Sequence, residues 1–196
     1  MKIIGITGGV GCGKTTVLDA IKKECNCRIL LADDAAKLLE EPGEECYKKL
    51  VELLSENILD TDSRINPGKM AAKIFGNDKL RQDVNDIIHP AVKDYILEQI
   101  NMEDKRGAVD YFFLEAALLI ECGYKSIVDE MWYIYADADV RYSRLRKQRC
   151  YSDEKTASII KAQMSDEEYR AGSDVVIDNS TTIENTILQI RKALKR

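Results

Sequence analysis

A glycine-rich run near the start of the chain, from Gly8 to Thr15, has the residue types needed to bind phosphate groups. It reads Gly-Gly-Val-Gly-Cys-Gly-Lys-Thr and fits the pattern G-x-x-x-x-G-K-[ST]. Its glycines allow backbone conformations that bring N–H groups close to an anion. Lys14 supplies a cation for the outer phosphates, and the hydroxyl of Thr15 is a ligand for Mg²⁺. We call this run the phosphate loop.

The residues on either side of the phosphate loop fit the same chemistry. Lys2 to Thr7 is a β-branched run typical of a buried strand, and Thr15 to Cys25 has apolar residues at helical spacing. A helix that starts at the loop points its positive end at bound phosphates. The alternative is a glycine-rich turn that only connects a strand to a helix. The complete pattern in this context favours binding of a nucleoside triphosphate.

The bulk composition excludes several classes of protein. With 196 residues, 45% hydrophobic and 32% charged, the chain has the size and balance of a soluble globular domain. A net charge of −5 gives no basic surface for nucleic acid, and no apolar run is long enough to span a bilayer. The first residues form a predicted strand and not a signal peptide. We therefore expect a cytoplasmic protein that binds neither nucleic acid nor membrane.

The six cysteines do not have the spacing of a zinc site or of a redox motif. Cys25 and Cys27 are separated by one residue, and no second pair accompanies them. In a reducing cytosol they are expected to be free thiols. Cys12 lies inside the phosphate loop, where positive charge would lower its pKa and favour a redox role. We prefer the alternative, a thiol that fills space in the loop.

Alternating strand and helix patterns predict an α/β fold with a parallel sheet covered by helices. The five predicted strands are Lys2–Thr7, Cys27–Ala32, the apolar run Gly107–Ile120, Met131–Ala136 and Asp174–Ile177.

Between the second and third predicted strands, residues 35–106 have a helical pattern. A polar loop is expected at Asp60–Gly68 and a helix break at His89–Pro90. We therefore divide the chain into a nucleotide-binding core (1–34, 107–140 and 164–196), a helical insertion (35–106) and a short helical lid (141–163).

Two acidic positions at strand ends are candidates for chemistry. Transfer of a phosphoryl group to a hydroxyl needs a carboxylate that orients the hydroxyl and accepts its proton, and Asp33 follows the second strand. The alternative is a cap for a helix beginning at Ala35, and Asp34 can be that cap while Asp33 is the base. Glu115, inside the apolar run of the third strand, is costly to bury unpaired, which favours a role in holding Mg²⁺.

A basic run and a single histidine complete the candidates. The run from Arg141 to Arg149 is a solvated helix face, a nucleic-acid site or a mobile lid that brings arginines to the phosphates. The phosphate loop favours the lid, and the acidic chain argues against nucleic acid. His89 precedes a proline at the expected helix break, and its spacing alone indicates a structural role.

Motifs over nearly the whole chain resemble the dephospho-coenzyme A kinase family. They are Ile4–Val17, Ala32-Asp33, Ala36-Lys37, Glu41-Pro42-Gly43, Ile74-Phe75-Gly76, Ile88-His89-Pro90, Leu118-Leu119-Ile120-Glu121, Arg144-Leu145, Gln163 and Asp174–Asn179. The phosphate loop alone fits many kinases, whereas the His-Pro after a helical insertion and the Leu-Leu-x-Glu after the third strand are narrower signals.

This resemblance implies a P-loop NTPase fold with a five-stranded parallel sheet, a helical insertion that binds the acceptor, and a lid. It implies transfer of the ATP γ-phosphate to the ribose 3′-hydroxyl of dephospho-coenzyme A, with Mg²⁺. We expect a monomer or small homo-oligomer. Asp33 would be the base, with Lys14 and Arg144 assisting, and Thr15 and Glu115 the metal ligands. The implied ATP contacts are Gly9, Val10, Gly11, Cys12, Gly13, Lys14, Thr15, Thr16, Arg144 and Asn179. The implied acceptor contacts are Asp33, Lys37, Arg81, His89, Glu115 and Leu118.

The chain departs from the family pattern at a few positions that bear on acceptor recognition and on the lid. These positions are Leu31, Lys37, Pro67, Ala117 and Gln148. Lys37 keeps a positive charge where the family has arginine, but it loses bidentate geometry. Gln148 stands where a second lid arginine is expected, and Arg149 is its neighbour.

Overall fold

The computed structural model describes residues 1–149 and 152–195, except the side chains of Gln148, Arg149 and Lys155. Its contacts divide the chain into two units. The first unit comprises residues 1–30 and 106–196, and the second comprises residues 31–105. None of the helices in the described ranges is long and apolar enough to cross a membrane.

Five strands form one parallel sheet, as the sequence predicts. They are β1 (Lys2–Thr7), β2 (Cys27–Leu31), β3 (Tyr111–Glu115), β4 (Glu130–Tyr135) and β5 (Val175–Asp178). The strand order is β2-β3-β1-β4-β5, so β1 lies at the centre. Gly5 of β1 is in register with Leu114 of β3 on one side and with Met131 of β4 on the other. Because all strands run in the same direction, their carboxyl ends share one edge of the sheet.

Nine α-helices are found in the described residues. They are α1 (Lys14–Glu24), α2 (Ala32–Leu39), α3 (Glu45–Leu54), α4 (Pro67–Ile74), α5 (Asp78–Arg106), α6 (Ala138–Arg149), α7 (Asp153–Lys161), α8 (Asp166–Ala171) and α9 (Ile183–Leu194).

The core of the first unit is the central part of the sheet with the helices beside it. Ile4, Phe112 and Trp132, one from each of the three central strands, are fully buried. Burial on both faces explains why these strands are apolar runs and not alternating patterns. Ile21 of α1 and Ile190 of α9 are also fully buried, and they cover the sheet with apolar helix faces.

The second unit has a small helical core of its own. Its buried residues are Cys46, Leu50, Leu54, Ile58, Ile65 and Val84. They come from α3, from a short 3₁₀ helix (Glu56–Ile58), from an isolated β-bridge before α4, and from α5. The polar segment predicted as a loop is shorter than expected, because Pro67 and Gly68 already belong to α4. Asn66 caps α4 by accepting a hydrogen bond from the backbone N–H of Lys69.

The helix break predicted at His89–Pro90 is wrong, because α5 continues through Pro90. A proline inside a helix costs about 3 kcal/mol. Val84 before it and Val92 and Ile96 after it are buried, and each such side chain stabilises the fold by about 1.5–3 kcal/mol. Packing on both sides therefore outweighs the lost hydrogen bond. The helical region breaks instead between α4 and α5, where Gly76 has a φ of 72°.

Two further boundaries differ from the sequence prediction. The third strand ends at Glu115, and the rest of the apolar run, including Leu118, lies in turns. Leu119 in this segment is fully buried, so this part of the run fills the core without extending the strand. At β2 the strand ends at Leu31 and α2 begins at Ala32, which puts Asp33 in the first turn of the helix.

Candidate functional site

The phosphate loop connects β1 to α1 and has the backbone conformation that its glycines predict. Gly11 and Gly13 have φ values of 81° and 89°, in the left-handed region that favours glycine. A Cβ atom at Gly13 would overlap the side-chain amide nitrogen of Asn179. Gly13 is therefore required both by its dihedral angles and by the close approach of a neighbouring side chain.

Lys14, the first residue of α1, is held between two oxygen acceptors. Its Nζ donates to the carbonyl of Gly8 at 2.8 Å and lies 3.5 Å from Oε1 of Glu115. Both side chains of this ion pair are mostly buried, with exposures of 16% and 14%. Glu115 at the end of β3 thus balances the charge of the loop lysine, which explains how an acid is accommodated in an apolar strand.

The oxygen donors near the start of α1 fit Mg²⁺ held jointly with phosphates. Thr15 is exposed on the first turn of α1, and Glu115 supplies a carboxylate. In the described parts of the chain, no cluster of three or more His, Cys, Asp or Glu side chains is arranged to hold a metal ion. Mg²⁺ is commonly bound through one or two protein oxygens together with substrate phosphates. The donor set therefore suits Mg²⁺ that arrives with a nucleotide.

Arg141 of α6 binds the first half of the phosphate loop. Its Nε donates to the carbonyl of Val10 at 2.9 Å, and its Nη2 donates to Oε1 of Gln163 at 3.0 Å. The same Gln163 oxygen accepts the backbone N–H of Val10 at 2.9 Å. Arg141 and Gln163 lie at the two ends of the predicted lid. Together they bind the backbone carbonyl and the backbone N–H of Val10.

Arg144, one turn further along α6, binds the second half of the loop. Its Nη1 donates to the carbonyl of Cys12 at 3.1 Å, and its Nη2 donates to the carbonyl of Asn179 at 2.8 Å. Leu145 beside it is buried against Gly11. Arg146 and Lys147 are exposed, so the basic run divides into a face on the loop and a face in solvent. The Arg149 side chain and Cys150 lie outside the described residues.

Asn179 connects the phosphate loop to α9. Its Nδ2 donates to the carbonyl of Cys12 at 2.8 Å, and its Oδ1 accepts from the hydroxyl of Thr186 at 3.1 Å. Asn179 is 3% exposed and Thr186 is fully buried. The side chain of Asn179, predicted to contact the nucleotide, therefore binds the protein through both its amide nitrogen and its amide oxygen.

The predicted site residues of the second unit lie on its helices. Lys37 pairs with Asp34, with its Nζ 3.0 Å from Oδ1. No hydrogen bond or salt bridge engages the exposed carboxylate of Asp33 within the ranges that the structure describes. The N-cap of α2 is Leu31, and no side chain caps the helix, so the prediction of an aspartate cap is wrong. The reason is that the helix starts before the two acids, not after them.

Arg81 and His89 both lie on α5 and are exposed. Nη2 of Arg81 is 3.0 Å from Oδ1 of Asp78, in the first turn of the helix. In the first unit, the side chain of Leu118 is 52% exposed in the turn after β3. Its neighbour Ala117 accepts a hydrogen bond from the hydroxyl of Thr7 at 3.3 Å, which links this turn to the end of β1.

Burial has a larger effect on the pKa of the Cys12 thiol than the nearby charges have. The side chain is 2% exposed, and burial raises the pKa of the thiol although Lys14 and Arg141 act to lower it. We therefore expect iodoacetamide at pH 8 to label Cys12 at least about tenfold more slowly than the half-buried Cys122, because the thiolate is the reactive form. Peptide mapping by mass spectrometry measures both rates. Equal labelling of the two cysteines in the folded protein would contradict this expectation.

Sequence reasoning missed three residues that contact the phosphate loop or support it. Arg141 lay in the basic run but was not distinguished from its neighbours, because helix-face assignment needs the position of the loop. Gln163 belonged to a family motif without an assigned role. Thr186 carried no signal, since a threonine within an amphipathic helix is common and its partner Asn179 is recognised only in the folded chain.

The fold and the loop together define a class: a phosphate-loop protein with a parallel α/β sheet. The profile of the family described as dephospho-CoA kinase (CoaE) matches residues 2–185. The chain belongs to the dephospho-CoA kinase family.

Individual relatives agree with this family membership over nearly their whole length. The chain is 34% identical to a dephospho-CoA kinase of Oceanobacillus iheyensis, covering 99% of this chain and 96% of the relative. It is 36% identical to that of Carboxydothermus hydrogenoformans, covering 100% and 94%. Among solved structures, TT1252 from Thermus thermophilus superposes with a TM-score of 0.85 at 25% identity, covering 99% and 96%. A dephospho-CoA kinase from Campylobacter jejuni has a TM-score of 0.71 at 24% identity, covering 100% and 96%, and supports the fold alone.

Proposed function

We propose that this protein is an ATP-dependent dephospho-CoA kinase that transfers the γ-phosphate of ATP to the ribose 3′-hydroxyl of dephospho-coenzyme A. The observation that carries the proposal is the family match over residues 2–185, which includes the helical unit as well as the phosphate loop. A phosphate loop alone is compatible with many acceptors. We also propose that the protein is located in the cytoplasm. The five cysteines in the described ranges are free thiols, which is the state expected in a reducing compartment.

The nucleotide half of the proposal assigns roles to residues of the first unit. Residues Gly9 to Thr16, which belong to the phosphate loop or directly follow it, bind the ATP phosphates through backbone N–H groups and the Lys14 ammonium. Mg²⁺, when bound, neutralises charge on the phosphates, and Thr15 and Glu115 would hold it. The ion pair between Lys14 and Glu115 supports this assignment, because it keeps the ammonium ordered before the nucleotide arrives.

The acceptor half of the proposal assigns roles to residues of the second unit. Asp33 accepts the proton of the ribose 3′-hydroxyl and orients its oxygen toward the γ-phosphate. Its unengaged carboxylate supports this role over Asp34, whose carboxylate is paired with Lys37. Lys37, Arg81 and His89 bind the anionic acceptor, and their exposure leaves them accessible to it.

The role of Arg144 is testable through the separation of turnover from binding. Arg144→Ala is expected to lower kcat by about 10²-fold while the KM for dephospho-coenzyme A changes by less than about threefold, because the arginine acts on the phosphate loop and on developing charge. Steady-state kinetics with each substrate varied provide the measurement. Arg146→Ala, on the exposed face of α6, is the matched control and should behave like the parent. Equal changes in kcat and in the acceptor KM would indicate a purely structural arginine.

The proposed acceptor is tested by a panel of hydroxyl compounds. Initial rates of ADP release with Mg²⁺ and ATP are compared for dephospho-coenzyme A, AMP, adenosine and pantetheine phosphate. The proposal predicts a clear preference for dephospho-coenzyme A. Preference for another compound would make the protein a kinase for a different metabolite. Slow ADP release at the same rate with every acceptor would instead indicate a nucleotide-binding switch.

A further inference from the structure

We propose that the buried hydroxyl of Thr186 is a positioning group for nucleotide binding, which acts through Asn179 to fix the peptide between Cys12 and Gly13. The inference rests on the proposed use of the phosphate loop to bind ATP. It concerns affinity for the nucleotide and does not depend on the identity of the acceptor.

Thr186 and Asn179 form a short chain of buried hydrogen bonds. Oγ1 of Thr186 lies 3.1 Å from Oδ1 of Asn179, 3.3 Å from the carbonyl of Thr182 and 3.5 Å from the carbonyl of Asp178. The Asn179 oxygen is the nearest of these three acceptors. Both side chains are almost completely removed from water, so a broken bond in this chain has no solvent replacement.

The partners of Asn179 determine which way its amide faces. The carbonyl of Cys12 only accepts hydrogen bonds, so Asn179 must present its NH₂ group there, at 2.8 Å. Its oxygen then faces Thr186, whose hydroxyl must donate. Without that hydroxyl, the amide oxygen would be buried without a donor, and a flip of the amide would place this oxygen against the Cys12 carbonyl, where two acceptors repel.

The Cys12 carbonyl matters because it shares a peptide plane with the N–H of Gly13. In a trans peptide these two groups point in opposite directions. Asn179 and Arg144 both donate to the carbonyl, so the Gly13 N–H is directed away from them. A phosphate loop binds anions through N–H groups directed into its concave face. Thr186, which lies on α9 and outside the loop, therefore helps to fix the direction of the Gly13 N–H.

The test compares two substitutions at Thr186 that differ in the hydroxyl. Thr186→Val keeps the shape and removes the donor, and it should raise the Kd for ATP, and the KM for ATP, by about tenfold. Thr186→Ser restores the donor and should keep both within about twofold of the parent. The KM for dephospho-coenzyme A should not change in either variant. Isothermal titration calorimetry with ATP, in the absence of acceptor, measures the Kd for ATP without turnover.

A second position controls for general loss of stability. Thr182 caps α9 by accepting from the N–H of Asn185, so Thr182→Ala weakens the same helix without changing Asn179. The proposal predicts normal ATP affinity for Thr182→Ala even when its melting temperature is as low as that of Thr186→Val. Should Thr186→Val not fold, Thr186→Ala replaces it in the comparison.

Three outcomes would overturn the proposal: full ATP affinity without the hydroxyl, no rescue by serine, or an equal loss in Thr182→Ala. A protein that binds ATP as predicted here but does not phosphorylate dephospho-coenzyme A would contradict the proposed function alone. The two hypotheses therefore fail separately.

Discussion

Asp33→Asn is expected to lower kcat by about 10³-fold while ATP affinity stays unchanged. An asparagine keeps the size and part of the hydrogen bonding of the side chain, but it cannot accept the proton of the attacking hydroxyl. Asp33 belongs to the first turn of α2 and is not one of the residues assigned to the ATP phosphates. Initial rates and ATP titration on the same preparation provide the measurement.

The neighbouring carboxylate provides a matched control for Asp33. Asp34 lies in the same exposed first turn, but its carboxylate pairs with Lys37. Asp34→Asn removes one negative charge from the same place and should reduce kcat by less than about threefold, since an exposed ion pair contributes little. Comparable losses in both variants would show that the local charge matters and that no single base is needed.

Lys14→Met is expected to lower kcat/KM for ATP by about 10²–10³-fold. The substitution removes a cation from the phosphates and also leaves the carboxylate of Glu115 without its 3.5 Å partner. Lys22→Met, at an exposed position further along α1, is the control and should change the value less than about twofold.

The contribution of the Glu115 carboxylate can be separated with a double substitution. In Lys14→Met with Glu115→Gln, affinity for ADP measured without Mg²⁺ should recover in part, because repulsion between the carboxylate and the phosphates is removed. Measuring without Mg²⁺ keeps the proposed metal role of Glu115 out of the comparison. If the double variant binds ADP no better than Lys14→Met, the Glu115 carboxylate does not repel the phosphates and this explanation is wrong.

Local sequence patterns predicted the elements to which we assign nucleotide binding. β1 has the predicted bounds, and the phosphate loop and the start of α1 follow it as expected. These elements are predictable because their residues have one physical solution: glycines at positive φ, a buried apolar strand and a helix whose N-terminus faces the anion. The parallel sheet followed from the alternation of strands and helices.

Features that depend on packing between distant segments were not predictable in the same way. A proline pattern suggests a helix end, but Val84, Val92 and Ile96 stabilise α5 on both sides of Pro90. The apolar residues after Glu115 suggested a longer strand, although Leu119 is buried within a turn segment. The contact between Asn179 and Thr186 needs both residues in place, and neither residue type alone indicates it.

The most direct test of the central claim follows the phosphate from ATP. Purified protein is incubated with Mg²⁺, ATP and dephospho-coenzyme A, and the products are identified by ³¹P NMR and mass spectrometry. The account predicts one coenzyme A for each ADP, with the new phosphate as a monoester on the ribose 3′-oxygen and little inorganic phosphate. Recovery of the phosphate as inorganic phosphate, with dephospho-coenzyme A unchanged, would contradict it.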